Sequence, residues 1–283
     1  MQHDAGTFRT DDGLTLATRR WVPHDHPKAA VVIVHGIADH SGRFAHVAAH
    51  LMLSDYEVYA FDLRGHGRSE GEPRAYVESF DAYVADLGLF LEHVHEAAAK
   101  PVFLLGHSLG GLIAARYVAL YGTGGLAGLL LSSAALRIPA DLSPVLQKLA
   151  GTVSRFTPTL ATTKLNTEHL SRDPGVVRGY EQDPLTYTGG VRARTGAETL
   201  RVTKEMPSHI GAFTLPLYLF HGAADRITDP AGSQWLYEHA PSEDKTFNLY
   251  DDLYHETMNE PERHVVLGDL VAWLDAHTGD AGP

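Results

Sequence analysis

Val102-Phe103-Leu104-Leu105-Gly106-His107-Ser108-Leu109-Gly110-Gly111 begins the stretch that decides the fold, and the helical run to Tyr121 completes it. Val102 to Leu105 is too short for a helix and too uniformly apolar for a strand with one wet face, so it reads as a strand buried on both sides. Leu109 to Tyr121 has the length and composition of a helix. Between them lies G-x-S-x-G. In a chain with 27 glycines that pattern arises readily by chance, and its setting gives it weight. Strand, sharp turn and helix together make a nucleophile elbow, which lifts a seryl hydroxyl into a cleft. Gly106, Gly110 and Gly111 leave room for the strained turn. The competing reading, a serine that merely caps a helix, is disfavoured by this context.

Working outward, further short apolar runs at Ala29–Val34, Val58–Phe61, Leu129–Leu131 and Leu217–Phe220 share the character of Val102–Leu105. Helical stretches alternate with them: Phe44–Leu53, Ser79–Ala99, Pro230–His239 and Pro261–His277. That alternation predicts an α/β fold, a mostly parallel doubly wound sheet. At the start, Thr7–Thr10 and Leu14–Trp21 flank Asp11-Asp12-Gly13, a turn signal that predicts an antiparallel hairpin at a sheet edge. In such sheets ligands bind beyond the carboxyl ends of the strands, so polar residues just after each run are the first candidates for a site.

One segment interrupts the alternation. From about Leu136 to Phe213 there are helical patterns and proline turns but no buried-strand run. The expected division is therefore a core over residues 1–135, an inserted helical cap over 136–213, and the rest of the core over 214–283. The first cap helix should begin at Ser143-Pro144, a capping residue followed by proline at the first helical position. Leu142, Val145, Leu146, Leu149, Val153 and Phe156 then recur at helical spacing. Such a stripe either packs on the core or stays partly exposed and meets lipid.

A seryl hydroxyl attacks only if a histidine accepts its proton, and the histidine needs a carboxylate to set its tautomer. In the α/β-hydrolase arrangement the order is Ser, acid, His. The Leu217–Phe220 run leads into His221-Gly222-Ala223-Ala224-Asp225, which makes Asp225 the best acid. Asp229 is a rival that reads as a cap for the helix starting at Pro230. Asp251 and Asp252 follow a last strand at Thr246–Tyr250 and are expected to be solvated or to brace their loop. His255 lies between that strand and the last helix and is the expected base. His107, His35, His221 and His66 read as packing or loop-bracing residues. The backbone N–H groups of Leu109 and Ile37 are the expected oxyanion hole, one following the nucleophile and one following the strand that ends at Val34.

Composition narrows the partners. The chain has 283 residues, 44% of them hydrophobic, enough for one large core carrying an insertion. Its formal charge of −12 would repel a phosphate backbone, so no nucleic acid partner is expected. It contains no cysteine, which excludes disulfides and thiolate chemistry and fits a reducing compartment. No spacing of its 18 histidines or its carboxylates matches a zinc or calcium site, so neither metal nor cofactor is expected. Met1-Gln2-His3-Asp4-Ala5-Gly6 lacks the features of a signal peptide and no apolar run is long enough to span a bilayer, so a cytoplasmic location is expected.

With these residues identified, the chain resembles the monoacylglycerol lipase family of α/β-hydrolases over nearly its full length. The resemblance rests on His35 to Phe44 (HGIADHSGRF), Phe61 to Gly71 (FDLRGHGRSEG), Gly106 to Gly111, His221 to Asp225 and Tyr254-His255-Glu256. Leu170-Ser171-Arg172-Asp173 and Tyr180 to Leu185 are similar to family cap segments. It implies a triad of Ser108, Asp225 and His255 with Ile37 and Leu109 as oxyanion donors. It also implies a glycerol pocket at Asp39, Arg43 and Tyr180. The family commonly has glutamate at the position of Asp39, and Asp39 and Arg43 could instead form a loop-bracing ion pair. Family caps present an apolar face to membranes, which implies transient peripheral contact here.

The activity expected is hydrolysis of a monoacylglycerol, a small lipid ester, to fatty acid and glycerol. A lysophospholipase or a broad carboxylesterase shares that chemistry. An epoxide hydrolase or dehalogenase would carry aspartate at the elbow, and a non-catalytic lipid carrier would have no need of a complete triad.

Overall fold

The computed structural model describes residues 2–24, 26–137 and 151–278. Its centre is an eight-stranded sheet made of β1 (Gln2–Arg9), β2 (Thr15–Val22), β3 (Ala29–Val34), β4 (Tyr56–Phe61), β5 (Val102–His107), β6 (Leu126–Ser132), β9 (Leu217–Gly222) and β10 (Lys245–Tyr250). The spatial order is β1-β2-β4-β3-β5-β6-β9-β10. β1 pairs antiparallel with β2, and β2 pairs antiparallel with β4. The remaining neighbours are parallel. The expected edge hairpin is present, with a first strand longer than its β-prone residues suggested.

The uniformly apolar runs follow from burial on both faces. In β3, Ala30, Val32 and Val34 point into one core layer while Ala29, Val31 and Ile33 point into the other. α2 (Phe80–Ala98) and α3 (Leu109–Tyr121) cover the first face. α1 (Ala45–Met52) and the last helix, Arg263–His277, cover the second. That last helix buries Val266, Leu267, Leu270, Trp273 and Leu274, one stripe at helical spacing. Each fully buried side chain of this kind contributes roughly 1.5–3 kcal/mol. Local signals set the ends: Ser79 caps α2, left-handed Ala99 closes it, and Asp229 accepts from the Ala231 N–H at the start of the helix Pro230–His239.

Between β6 and β9 the described residues include a helical turn at 151–156, the helices Pro174–Gln182 and Ala193–Glu205, and a two-stranded antiparallel ribbon. The ribbon, β7 (Ala161–Lys164) with β8 (Gly190–Arg192), departs from the purely helical reading of this segment. β7 is four exposed, mostly polar residues, too short to register as a buried run. Ser143-Pro144 and the stripe positions Leu142, Val145, Leu146 and Leu149 lie outside the described residues. Phe156 and Leu160 are exposed, at 77% and 50%. Among the described residues no helix is long and apolar enough to cross a membrane.

Candidate active site

The loops that leave β3, β5, β9 and β10 meet at the carboxyl edge of the sheet. Ser108 sits between β5 and α3 with φ +55° and ψ −119°, a backbone conformation that costs a residue with a side chain of order 1–3 kcal/mol. It is held there by its own N–H, which donates to the Ser132 carbonyl at 3.0 Å. Its carbonyl accepts from Leu112 at 3.1 Å and from Ala135 at 3.0 Å. The strain falls on the serine, and the glycines serve close approach. A β-carbon at Gly110 would lie 2.2 Å from the Val34 carbonyl oxygen, and one at Gly106 would lie 2.5 Å from that of Gly110.

Ser108, His255, Ile37, Asp39, Tyr180 and Glu256 line one narrow cavity. His255 Nδ1 is 2.7 Å from Asp225 Oδ2. Asp225 Oδ1 accepts from the Ile227 and Thr228 N–H groups at 2.7 and 3.1 Å. Oδ2 accepts also from His221 Nε2 at 3.0 Å and from Thr228 Oγ1 at 2.8 Å. Burial alone would raise this carboxyl, but the charge of His255 and the hydrogen bonds from His221 and His255 outweigh it and hold Asp225 well below the usual carboxylate range. For His255, burial lowers the imidazole, while the charge and hydrogen bond of Asp225 more than offset this and leave it above 6.5. The rival acids lie elsewhere: Asp229 caps its helix, and Asp251 and Asp252 are exposed.

His107 packs against His255 with ring centres 4.8 Å apart, and its Nδ1 is 3.2 Å from Ser132 Oγ. Burial and the neighbouring charge of His255 push it down to about 3, so it stays neutral beside His255. His35 and His66 are neutral for the same reason, burial pushing them to about 4 and about 3. Leu109 is the first residue of α3, and Gly36 lies so near Ser108 that a β-carbon there would be 3.1 Å from Ser108 Cβ. The loop that bears Ile37 therefore faces the elbow.

Asp39, Arg43 and Tyr180 come together, and with them a residue given no role by the sequence reading. Glu256 binds the Arg43 guanidinium through both oxygens, at 2.7 Å each. Asp39 Oδ1 lies 3.2 Å from Arg43 Nη1. The guanidinium is 4.9 Å from the centre of the Tyr180 ring, whose hydroxyl donates to the Ala38 carbonyl at 3.0 Å. Burial would raise Glu256, but the charge and hydrogen bonds of Arg43 bring it to about 2. Burial and the charge of Glu256 raise Asp39 despite Arg43. Glu256 stood in view beside His255 in the sequence, but its partner lies 213 residues away in the chain. Thr228, which also touches Asp225, carried no sequence signal. Among the described residues no group of three or more His, Asp or Glu side chains converges as a metal-binding set.

The sheet, elbow and strand-end loops define the α/β-hydrolase fold. Residues 25–262 match the family model described as "Serine aminopeptidase, S33". The chain is 35% identical to the monoacylglycerol lipase of Mycolicibacterium smegmatis, over 96% of each chain. It is also 35% identical to the monoglyceride lipase of Rattus norvegicus, over 96% of this chain and 90% of that one. A crystal structure of Paleococcus ferrophilus monoacylglycerol lipase superposes with a TM-score of 0.81 at 30% identity, covering 98% of this chain and 100% of that one. The chain belongs to the monoacylglycerol lipase family of α/β-hydrolases.

Proposed function

We propose that the protein hydrolyses monoacylglycerols to fatty acid and glycerol through an acyl-enzyme on Ser108. The observation that carries this reading is the 2.7 Å bond between His255 Nδ1 and Asp225 Oδ2, with His255 and Ser108 lining one cavity. Asp225, kept ionised, holds the Nδ1–H tautomer and leaves Nε2 to take the seryl proton. Ser108 Oγ attacks the ester carbonyl carbon, and the oxyanion is received by the N–H groups of Ile37 and Leu109. Collapse expels the glycerol alkoxide, which takes its proton from His255. Water, deprotonated by the same ring, then releases the fatty acid.

The names of the mycobacterial and rat relatives support the substrate class. Of the three head-group candidates, Asp39 is best placed to accept from a glycerol hydroxyl. The Arg43 charge is directed at Glu256 and Asp39, and the Tyr180 hydroxyl is directed at Ala38, so these two position Asp39 and its loop. The segment 136–213 is the proposed cap, and of its described residues Leu165, Leu170 and Tyr180 line the Ser108 cavity. Phe156 and Leu160 are the segment's candidate points of transient lipid contact.

A rate comparison across monoacylglycerols of varied chain length, diacylglycerol, lysophosphatidylcholine and short soluble esters tests the substrate. Monoacylglycerols should give the highest kcat/KM; preference for the lysophospholipid or a short ester would replace this reading. A serine-directed phosphonate should label Ser108, and S108A should abolish both labelling and turnover in a folded protein. A protein that does not react would be a carrier.

A further inference from the structure

The peptide joining Gly36 to Ile37 has the Ile37 N–H on one side and the Gly36 carbonyl on the other. In a planar trans peptide these two groups point in opposite directions, so whatever holds the carbonyl also aims the N–H. His35 holds it. The Nδ1 of His35 is 2.7 Å from the Gly36 oxygen, and its Nε2 is 2.9 Å from the Leu63 nitrogen. A carbonyl only accepts and a backbone N–H only donates, so the two bonds admit a single form of the ring: neutral, with its proton on Nδ1.

We propose that His35 is a positioning residue of the oxyanion hole, which grips the Gly36 carbonyl through Nδ1, is gripped at Nε2 by the Leu63 N–H, and so directs the Ile37 N–H toward the cavity beside Ser108. This rests on the reading of that N–H as an oxyanion donor. The side chain is fully buried and lies edge-on to His66, ring centres 5.5 Å apart. Burial keeps it neutral down to about pH 4, so the tautomer that both bonds require persists wherever the base works. The far side of the loop has separate anchors: the carbonyl of Ala38, a residue at φ +62°, accepts from the Tyr180 hydroxyl and from the Tyr187 N–H, each at 3.0 Å. Loss of the His35 bond would thus loosen the one peptide that bears the donor.

The wild-type protein gives the first test, without any variant. Long-range nitrogen–proton NMR on imidazole-labelled enzyme should show His35 as the neutral Nδ1–H tautomer at pH 7; an Nε2–H or charged ring overturns the proposal. H35F, which removes both bonds, should lower kcat about 100-fold, the scale of losing one oxyanion donor, with little change in KM. H35N keeps a donor near the position of Nδ1 and should recover at least tenfold of that loss. Affinity for a trifluoromethyl ketone analogue of the tetrahedral intermediate should fall in parallel with kcat/KM, while affinity for a non-hydrolysable ether analogue of the substrate stays constant. Retained kcat in H35F, H35N no better than H35F, or equal loss of both affinities would each overturn it. Replacing Ile37 by its α-hydroxy acid, which exchanges the N–H for an ester oxygen, separates the two layers. If that exchange is costly and H35F is not, the positioning role fails and the oxyanion reading stands; if neither is costly, both fail.

Discussion

Two buried charged clusters flank the Ser108 cavity, and they differ in what each leaves available. Around Asp225, every donor converges on one carboxylate, and the histidine it orients keeps its second nitrogen for chemistry. Around Arg43, two carboxylates and an aromatic face enclose one guanidinium, and its charge is used in holding loops together. In the proposed mechanism the first cluster moves a proton. The second ties the loop after β3 to the loop after β10. Both clusters contribute side chains to the Ser108 cavity and both contain buried carboxylates, so neither property alone distinguishes catalysis from bracing. The distinction lies in the number of hydrogen-bonding valences left over.

Substitutions should separate the clusters by what they damage. D225N should have the largest effect, about 10⁴-fold in kcat, because an amide can present a donor to Nδ1 and favour the wrong tautomer. Its urea midpoint should move little by comparison, and a D225N enzyme with near-normal turnover would end the contrast. R43M should act the other way round. Two buried carboxylates lose their cation, and the destabilisation should reach about 3–5 kcal/mol in urea unfolding. R43M protein as stable as the wild type would show that the ion pair does not hold the loops.

The two clusters should also respond differently to pH. Glu256 has its folded value near 2 against 4.5 for a free side chain, so its contribution to stability is complete above pH 4.5 and fades as pH falls from there toward 2. Acid unfolding of R43M should lose that component. In the proposed mechanism the Asp225 cluster governs activity: His255 is raised above 6.5 and would act as base only when neutral, so kcat/KM should climb with pH through a midpoint above 6.5. A midpoint below 6.5 would mean that burial of the ring outweighs the pull of Asp225. The smallest effects belong to the exposed positions Phe156 and Leu160 of the proposed cap. Charged substitutions at Phe156 and Leu160 should change stability by no more than about 0.5 kcal/mol. They should reduce co-sedimentation with phosphatidylcholine vesicles, and unchanged sedimentation would remove the proposed lipid contact.

Much of this was legible in the chain and some was not, for identifiable reasons. β3 and α3 coincide with their sequence patterns because apolar composition and flanking glycines mark them locally. The β7–β8 ribbon did not register, since its strands are short and polar and pair across a long interval. His221 read as a loop brace and in the fold it braces the turn after β9 by donating to Asp225; hidden from the sequence was that the same carboxylate meets His255. Glu256 was visible as a neighbour of His255 but meaningless until Arg43 came to meet it.

The sequence by itself determined the layered α/β architecture, the elbow at Ser108 and the order of the candidate acid and base. Those features depend on periodicity, turn chemistry and residues that follow strands, all of them local or ordinal. Tertiary structure alone decided the remainder: which nitrogen of His255 meets Asp225, that Arg43 is enclosed by Glu256 and Asp39, and that His35 is pinned by the N–H of Leu63. Hydrogen-bond roles depend on distance and direction between groups far apart in the chain, and packing settles both.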